Sequence, residues 1–234
     1  MEENIYKDLS SPKSKEFANL LNFDGVALYY SRIRNEMEIT KEALEDMEAE
    51  LPIAAALLPT AFNFDVIGYG CTSGSAIIGE EKVEKAIQVI HPNVPASNPM
   101  TACKAALRAL GLKQIAFLTP YDPSITTAMC ENLLAAGFEI SITGSFFESD
   151  DFKVGLISPQ SILEAIEKIG TRDDCDGVFV SCTNLRVAEI IEIAESRLGK
   201  PVTSSNHALA WHLLRLSGIQ DCQENCGSLF RRQL

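Results

Sequence analysis

The chain has 234 residues, of which 46% are hydrophobic, so it can bury the core of one large α/β domain or of two small lobes. Its 20 basic and 32 acidic residues give a net charge of −12, which argues against nucleic acid as a partner. No run of about 18 apolar residues occurs and the amino terminus is polar, so we expect a cytoplasmic protein without a membrane partner.

Short apolar segments alternate with amphipathic ones along the chain, which predicts an alternating α/β order. Because these segments are apolar throughout, we expect parallel sheets covered on both faces. The predicted strands are 25–30, 64–69, 114–119, 138–143, 177–181 and 200–204. The predicted helices are 40–58, 80–90, 99–110, 124–136, 159–169, 185–198 and 207–217.

Two of the apolar segments end in the same Cys-Thr pair. DVIGYGCT contains Cys71, DGVFVSCT contains Cys182, and a Ser-Asn pair follows each further along, at 97–98 and at 205–206. We interpret this as an internal duplication, in which each unit has a strand, a Cys-Thr turn, a helix, a second strand, a Ser-Asn cap and a helix. The alternative is that any two strand–turn–helix units share such a pattern.

A duplication of this kind predicts two lobes that face each other across a cleft. We expect residues 1–97 plus 207–234 to form the first lobe and residues 98–206 to form the second. Ligands of open α/β sheets bind beyond the carboxyl ends of the strands, which is where Cys71 and Cys182 fall. The two thiols should therefore lie on opposite walls of one cleft.

Small polar residues follow each cysteine, Thr72 and Ser73 after the first and Thr183 after the second. We expect both turns to open onto helices, whose N–H groups can hold a carboxylate and favour a thiolate. Two thiols across a small cleft can transfer protons to opposite faces of a substrate carbon, or add to a double bond, without a cofactor. The alternative is that both cysteines are buried apolar residues at strand ends.

The remaining cysteines do not indicate a disulfide framework or a metal site. The chain has seven cysteines, an odd number for its size, so we expect mostly reduced thiols. Cys222 and Cys226 form a CxxxC pair, but His207 and His212 would lie on different faces of a helix. This ligand set is too small for zinc, and no metal is expected.

Five segments together resemble the aspartate/glutamate racemase superfamily. They are YGCTSGSAIIG (69–79), LTPYDP (118–123), FESDDFKVGLISPQSI (147–162), VSCTNLR (180–186) and SSNHALAWHLLRLSGI (204–219). Within it they are similar to the branch of maleate cis–trans isomerase and arylmalonate decarboxylase, and most similar to the ectoine-utilisation protein A family. The resemblance implies two pseudo-symmetric parallel-sheet lobes with the active site in the cleft between them.

The resemblance also implies a reaction and a set of site residues. Cys71 would add as a thiolate to a substrate double bond, and Cys182 would supply the proton to the neighbouring carbon. The expected function is a cofactor-independent isomerase or racemase acting on a small carboxylate or dicarboxylate. The residues that match the family's carboxylate pocket are Thr72, Ser73, Tyr121 and Thr183.

Three other functions stay open. An arylmalonate-type decarboxylase is less favoured, because in those enzymes a glycine stands at the position of Cys71. A racemase of ectoine catabolism would act on an amino-acid derivative. A non-catalytic carboxylate-binding protein would fit a first lobe without its first strand, since family members begin with an apolar strand and this chain opens with a polar stretch. The resemblance and an exposed sheet edge favour a homo-oligomer.

Overall fold

The computed structural model describes residues 12–34, 36–221 and 225–234. In these ranges helices cover the faces of two sheets, and none of the helices found there is long and apolar enough to cross a membrane. Short 3₁₀-helices span Ala188–Ile190 and Leu229–Arg231. The α-helices are α1 Pro12–Leu20, α2 Lys41–Ala56, α3 Thr72–Ile78, α4 Glu80–Gln88, α5 Pro99–Leu110, α6 Pro123–Ala135, α7 Asp151–Leu156, α8 Pro159–Gly170, α9 Ile191–Leu198 and α10 Ser205–Leu216.

The strands form two parallel sheets, which confirms the α/β fold class. β1 pairs with β2, while the four-stranded sheet has the order β4-β3-β5-β6. Crossover helices join successive strands, as parallel pairing requires. The strands are β1 Ile67–Gly68, β2 Ala96–Ser97, β3 Gln114–Thr119, β4 Glu139–Ser145, β5 Gly177–Val180 and β6 Val202–Ser204.

The second sheet follows the sequence pattern closely because its central strands are apolar on both faces. β3 and β5 are almost completely buried, and the rings of Phe117 and Phe179 stack with centroids 5.7 Å apart. Apolar burial on both faces is the usual state of a parallel strand covered by helices. The predicted strand at 114–119 therefore coincides with β3.

Two helices connect the sheets and pack against each other. α5 runs from β2 to β3, and α10 follows β6 and contacts both strands of the first sheet. Asn98 caps α5 through its side chain, and Pro99 occupies the first helical position, where a missing N–H costs nothing. Because α5 and α10 each pass from one sheet to the other, the carboxyl ends of both sheets lie at one cleft. The predicted two-lobed arrangement is therefore confirmed.

Two predicted elements are wrong. Residue 25 lies in a turn and residues 26–30 have no regular secondary structure, because no strand among the described residues lies beside them to complete a ladder. The helix predicted at 185–198 begins late, as the 3₁₀ turn and then α9, because the backbone N–H of Ala188 bonds to a side chain, Glu16 Oε1, at 2.7 Å.

Two further predictions concern the lobes themselves. Residues 1–11 lie outside the described residues, so the loss of a first strand stays a prediction; within the described ranges the first sheet contains β1 and β2. The division into residues 1–97 plus 207–234 and residues 98–206 also stays a prediction. Cys222 lies outside the described residues, and the other six cysteines are free thiols.

Candidate active site

Cys71 lies directly beyond β1, at the start of α3. It is half-buried and caps the helix, with its Sγ accepting a hydrogen bond from the Gly74 N–H at 3.4 Å. The Ser73 hydroxyl lies 3.7 Å from the same sulfur. The expectation that the first Cys-Thr turn opens onto a helix is therefore correct.

Tyr69 is a neighbour of this thiol that the sequence analysis did not identify. A Cβ added at Gly74 would lie 2.3 Å from the Tyr69 hydroxyl and 3.1 Å from Cys71 Sγ, so only glycine leaves room for both groups. The hydroxyl also donates to Met47 Sδ at 3.6 Å. Burial raises the pKa of Tyr69, and the nearby Cys71 raises it further, so the phenol stays protonated and can donate a hydrogen bond.

Cys182 follows β5 in a different local setting. Its φ of 104° is a backbone conformation that side chains rarely adopt, at a cost of about 1–3 kcal/mol. The backbone N–H donates to Ser205 Oγ at 3.1 Å, and Sγ accepts from the Asn184 N–H at 3.4 Å. A turn follows, and the next helical residue is Ala188, so the expectation of a helix directly after this cysteine is wrong.

Burial decides the protonation state of the second thiol. Desolvation raises the pKa of Cys182 to about 12, a hydrogen bond from Tyr121 opposes this rise, and the charge of Asp151 adds to it. Burial and the adjacent Cys182 likewise raise the pKa of Tyr121, which also accepts a hydrogen bond from Ser73. At neutral pH Cys182 is therefore a neutral thiol that can give up a proton only to a strong base.

The two threonines that follow the cysteines join the halves of the site. Thr72 Oγ1 donates to Ser205 Oγ at 2.8 Å, and Ser205 Oγ in turn receives the Cys182 N–H. Thr183 Oγ1 donates to the Gly70 carbonyl at 3.1 Å. Each hydroxyl thus bonds to the opposite half, so the relative position of the two thiols depends on these contacts.

One cavity of about 680 Å³ reaches both thiols. Five of the six site residues predicted from the sequence line it, and the sixth, Thr72, is buried behind the wall. Tyr121 is 2% exposed, so it belongs to the inner wall and not to the rim. The residues at this end of the cavity are Gly70, Cys71, Ser73, Tyr121, Asp151, Cys182 and Thr183.

A buried carboxylate supports the turn after Cys182. Asn206 was expected to cap α10, but Ser204 does so, and the Asn206 amide donates to Glu16 Oε2 at 2.6 Å and to the Thr183 carbonyl at 2.8 Å. The other oxygen of Glu16 accepts from the Ala188 N–H. Burial raises the pKa of Glu16, while these hydrogen bonds oppose the rise. No local sequence pattern marks Glu16, and Ser205 is marked only by the repeated Ser-Asn pair.

In the part of the chain that the structure describes, the cavity lining beside the thiols contains no lysine, arginine or metal-ligand set. Arg186, which follows the second Cys-Thr turn, donates from Nη2 to the Ile157 carbonyl at 3.3 Å. Among residues 12–34, 36–221 and 225–234, no group of three or more His, Cys, Asp or Glu side chains could hold a metal ion. An anion at this site would therefore be held by hydroxyl and backbone N–H groups.

Comparison with known proteins agrees with this geometry. The family model described as arylmalonate decarboxylase matches residues 37–230. The chain belongs to this family. A maleate isomerase from Geobacillus stearothermophilus is 26% identical over 208 residues, covering 86% of this chain and 82% of that protein.

Two solved structures from the same group share the fold. A cysteine-to-alanine variant of the maleate isomerase Iso from Pseudomonas putida S16, with maleate, has a TM-score of 0.86 at 22% identity, covering 95% of this chain and 94% of that one. A cysteine-to-serine variant of maleate cis–trans isomerase from Nocardia farcinica, with a covalently bound succinylcysteine intermediate, has a TM-score of 0.86 at 23% identity, covering 94% and 93%. At these identities the likeness shows the fold.

Proposed function

We propose that the chain is a cofactor-independent cis–trans isomerase of a small unsaturated dicarboxylate such as maleate. The observation that carries the proposal is that two thiols line one cavity but differ in their burial and in the groups around their sulfurs. Cys71 is half-buried with hydrogen-bond donors around its sulfur, whereas Cys182 is buried and held neutral. Maleate isomerases among the relatives, one with a covalent succinylcysteine, support the assignment.

The reaction follows from these two roles. The Cys71 thiolate attacks one alkene carbon and forms a C–S bond, and the π electrons move to the neighbouring carbon as an enediolate on its carboxylate. The Cys182 thiol protonates that carbon, which leaves a C–C single bond that can rotate. The Cys182 thiolate then removes the proton, the electron pair re-forms the double bond in the trans geometry, and the C–S bond breaks to regenerate the Cys71 thiolate.

Three of the other four predicted site residues hold the carboxylates in this scheme. Ser73 and Tyr121 provide hydroxyl donors between the thiols, and Thr183 lines the wall beside Cys182. Hydrogen-bond donors aimed at the enediolate stabilise its developing charge. Thr72 acts through position, because its hydroxyl is bonded to Ser205. The substrate-binding roles of these residues are part of the proposal.

The test is turnover of maleate, followed by the loss of its ultraviolet absorbance and the appearance of fumarate by NMR. Cys71→Ser and Cys182→Ser should each abolish turnover. Cys130→Ser, a half-buried thiol on α6, is the matched control and should retain it. Full activity in either of the first two variants would contradict the two-thiol mechanism.

Decarboxylation is the second candidate, because the matching family model carries that activity in its description. A decarboxylase would release carbon dioxide from phenylmalonate and use Cys182 to protonate the resulting enediolate. Cys71→Ser separates the two functions, since it should leave decarboxylation largely intact and abolish isomerisation. Carbon dioxide release from phenylmalonate without fumarate from maleate would favour the second candidate.

A further inference from the structure

Asp151 places a carboxylate at the thiol end of the cavity. It is half-buried and lines the cavity together with Cys71, Ser73 and Cys182. Desolvation is the main cause of the raised pKa of Cys182, and the charge of Asp151 raises that pKa further. A charge that acts on the sulfur of Cys182 also acts on a substrate bound beside that sulfur.

Backbone contacts on two sides fix the position of Asp151. Its N–H donates to the Met37 carbonyl at 3.0 Å, and its own carbonyl accepts from the Asn184 side chain at 3.3 Å. The Asn184 N–H in turn donates to Cys182 Sγ at 3.4 Å. Asn184 therefore joins Asp151 to the second thiol and holds the two at a fixed relative position.

The helix that begins at Asp151 does not account for this carboxylate. Asp150 already caps α7, because its side chain accepts from the N–H groups of Phe152 and Lys153. An acidic residue in the first turn stabilises a helix modestly, and a side chain facing solvent would do so equally well. Asp151 instead lines the cavity, so it is placed to contact a ligand.

The other polar side chains between the thiols are neutral. Ser73 and Tyr121 present hydroxyl groups there, and burial raises the pKa of Tyr121, so its phenol stays protonated. Hydroxyl donors of this kind can hold one carboxylate. The lining contributed by the described residues contains no lysine, and its one arginine, Arg32, is exposed.

These charges disfavour a substrate that is a carboxylate at both ends. One carboxylate can bind at the hydroxyls, but a second one beside Asp151 would be repelled, and repulsion between like charges is stronger in a half-buried site than in water. A group that carries N–H would instead form a charge-assisted hydrogen bond with the Asp151 carboxylate. The lining thus favours an acid at one end and an N–H donor at the other.

We propose that Asp151 selects a substrate in which an amide replaces one of the two carboxylates. The remaining carboxylate lies at the Ser73 and Tyr121 hydroxyls, and the amide nitrogen donates to Asp151. The substrate class is the monoamide of a small unsaturated dicarboxylic acid, with maleamate as the simplest member. This inference rests on the proposed isomerase function and narrows its substrate class. The reaction steps are unchanged, because the alkene still lies between two carbonyl carbons and the amide bond is neither formed nor broken.

The first experiment compares maleamate with maleate at pH 8, where maleate is a dianion, with kcat/KM for cis–trans isomerisation measured by NMR. The wild-type protein should favour maleamate by about tenfold or more, since only maleate brings a second negative charge to Asp151. Equal values or a preference for maleate, with maleate turned over, would overturn the inference and leave the isomerase function standing.

Two variants that each remove one negative charge locate the selectivity. Asp151→Asn should lower the preference for maleamate about tenfold, mainly by raising kcat/KM for maleate. Asp65→Asn is the matched control, because Asp65 also lines the cavity but is exposed and precedes β1, whereas Cys71 follows it. Screening by solvent should keep the preference of this control within about twofold of the wild-type value. Equal changes in both variants, or no change in Asp151→Asn, would overturn the inference.

Binding separates this inference from the reaction itself. Succinamate and succinate are saturated and cannot isomerise, and calorimetric titration of the wild-type protein should give a Kd about tenfold lower for succinamate. If neither maleate nor maleamate is isomerised but succinamate binds selectively, and Asp151→Asn removes the selectivity, the role of Asp151 stands and the isomerase proposal fails. Equal Kd values for the two acids, or binding of neither, would contradict the role of Asp151. Because this comparison uses the wild-type protein, it decides the question even if Asp151→Asn does not fold.

Discussion

Replacing Ser205 with alanine should weaken both the fold and the reaction, because one hydroxyl joins the two halves of the site. Ser205 Oγ accepts the Thr72 hydroxyl at 2.8 Å and the Cys182 N–H at 3.1 Å, and the side chain is completely buried. Alanine offers neither donor an acceptor. The Cys182 N–H also belongs to a backbone in an unfavourable conformation, which depends on such contacts to persist.

The magnitude follows from the two donors left without a partner. Each unsatisfied buried polar group costs about 1–3 kcal/mol, so the two donors left by Ser205→Ala should lower the free energy of unfolding by about 2–6 kcal/mol. That is a large part of the roughly 5–15 kcal/mol typical of a domain. Turnover should fall as well, since Cys182 and Thr72 lose their shared anchor.

Urea denaturation with maleate turnover on the same samples provides the measurement. The midpoint should shift by roughly 1–3 M urea at an unchanged slope. Ser196→Ala is the control, because Ser196 lies exposed on α9, and its effect should stay within about 0.5 kcal/mol. The reasoning would be refuted if the free energy of unfolding of Ser205→Ala stayed within about 0.5 kcal/mol of the wild-type value and the variant kept its turnover.

Three further predictions concern buried titratable groups. Glu16→Gln should destabilise the protein by about 1–3 kcal/mol in urea, because an amide cannot accept from both Asn206 and Ala188; an unchanged midpoint would contradict the network. Burial lowers the pKa of His207 to about 4 in the folded protein, so on acidification the unfolded chain protonates this histidine at a higher pH than the folded chain does. The free energy of unfolding should therefore fall by about 2 kcal/mol between pH 7 and 5. The His207→Gln variant should not show this loss. Because burial raises the pKa of Cys182 to about 12, its alkylation by iodoacetamide, mapped by mass spectrometry, should accelerate only towards that pH; rapid labelling at pH 8 would argue against a neutral thiol.

The elements that the sequence predicted best are those with strong local patterns. β3 and α5 coincide with their predictions. The apolar run sets the ends of β3, whereas Asn98-Pro99 and Gly111 set the two ends of α5. The segment at 25–30 failed because a strand is defined by its partner, and a local apolar pattern contains no information about whether one is present.

The convergence of the thiols was also predictable, because duplicated strand ends in parallel sheets face one cleft. The contacts around them were not. Tyr69 approaches Cys71 only because Gly74 leaves space, and Glu16 reaches Asn206 across most of the chain. Such contacts join residues that are distant in sequence or depend on the path of a turn, so no spacing rule indicates them.

The sequence by itself determined the α/β class, the alternation of strands and helices, and the two Cys-Thr turns at strand ends, because these depend on patterns within short segments. Only the tertiary structure decided that Cys182 is buried and neutral while Cys71 is half-buried, since desolvation depends on what packs around a group. It also decided that one cavity reaches both thiols, because the ends of β1 and β5 meet there only after the chain folds.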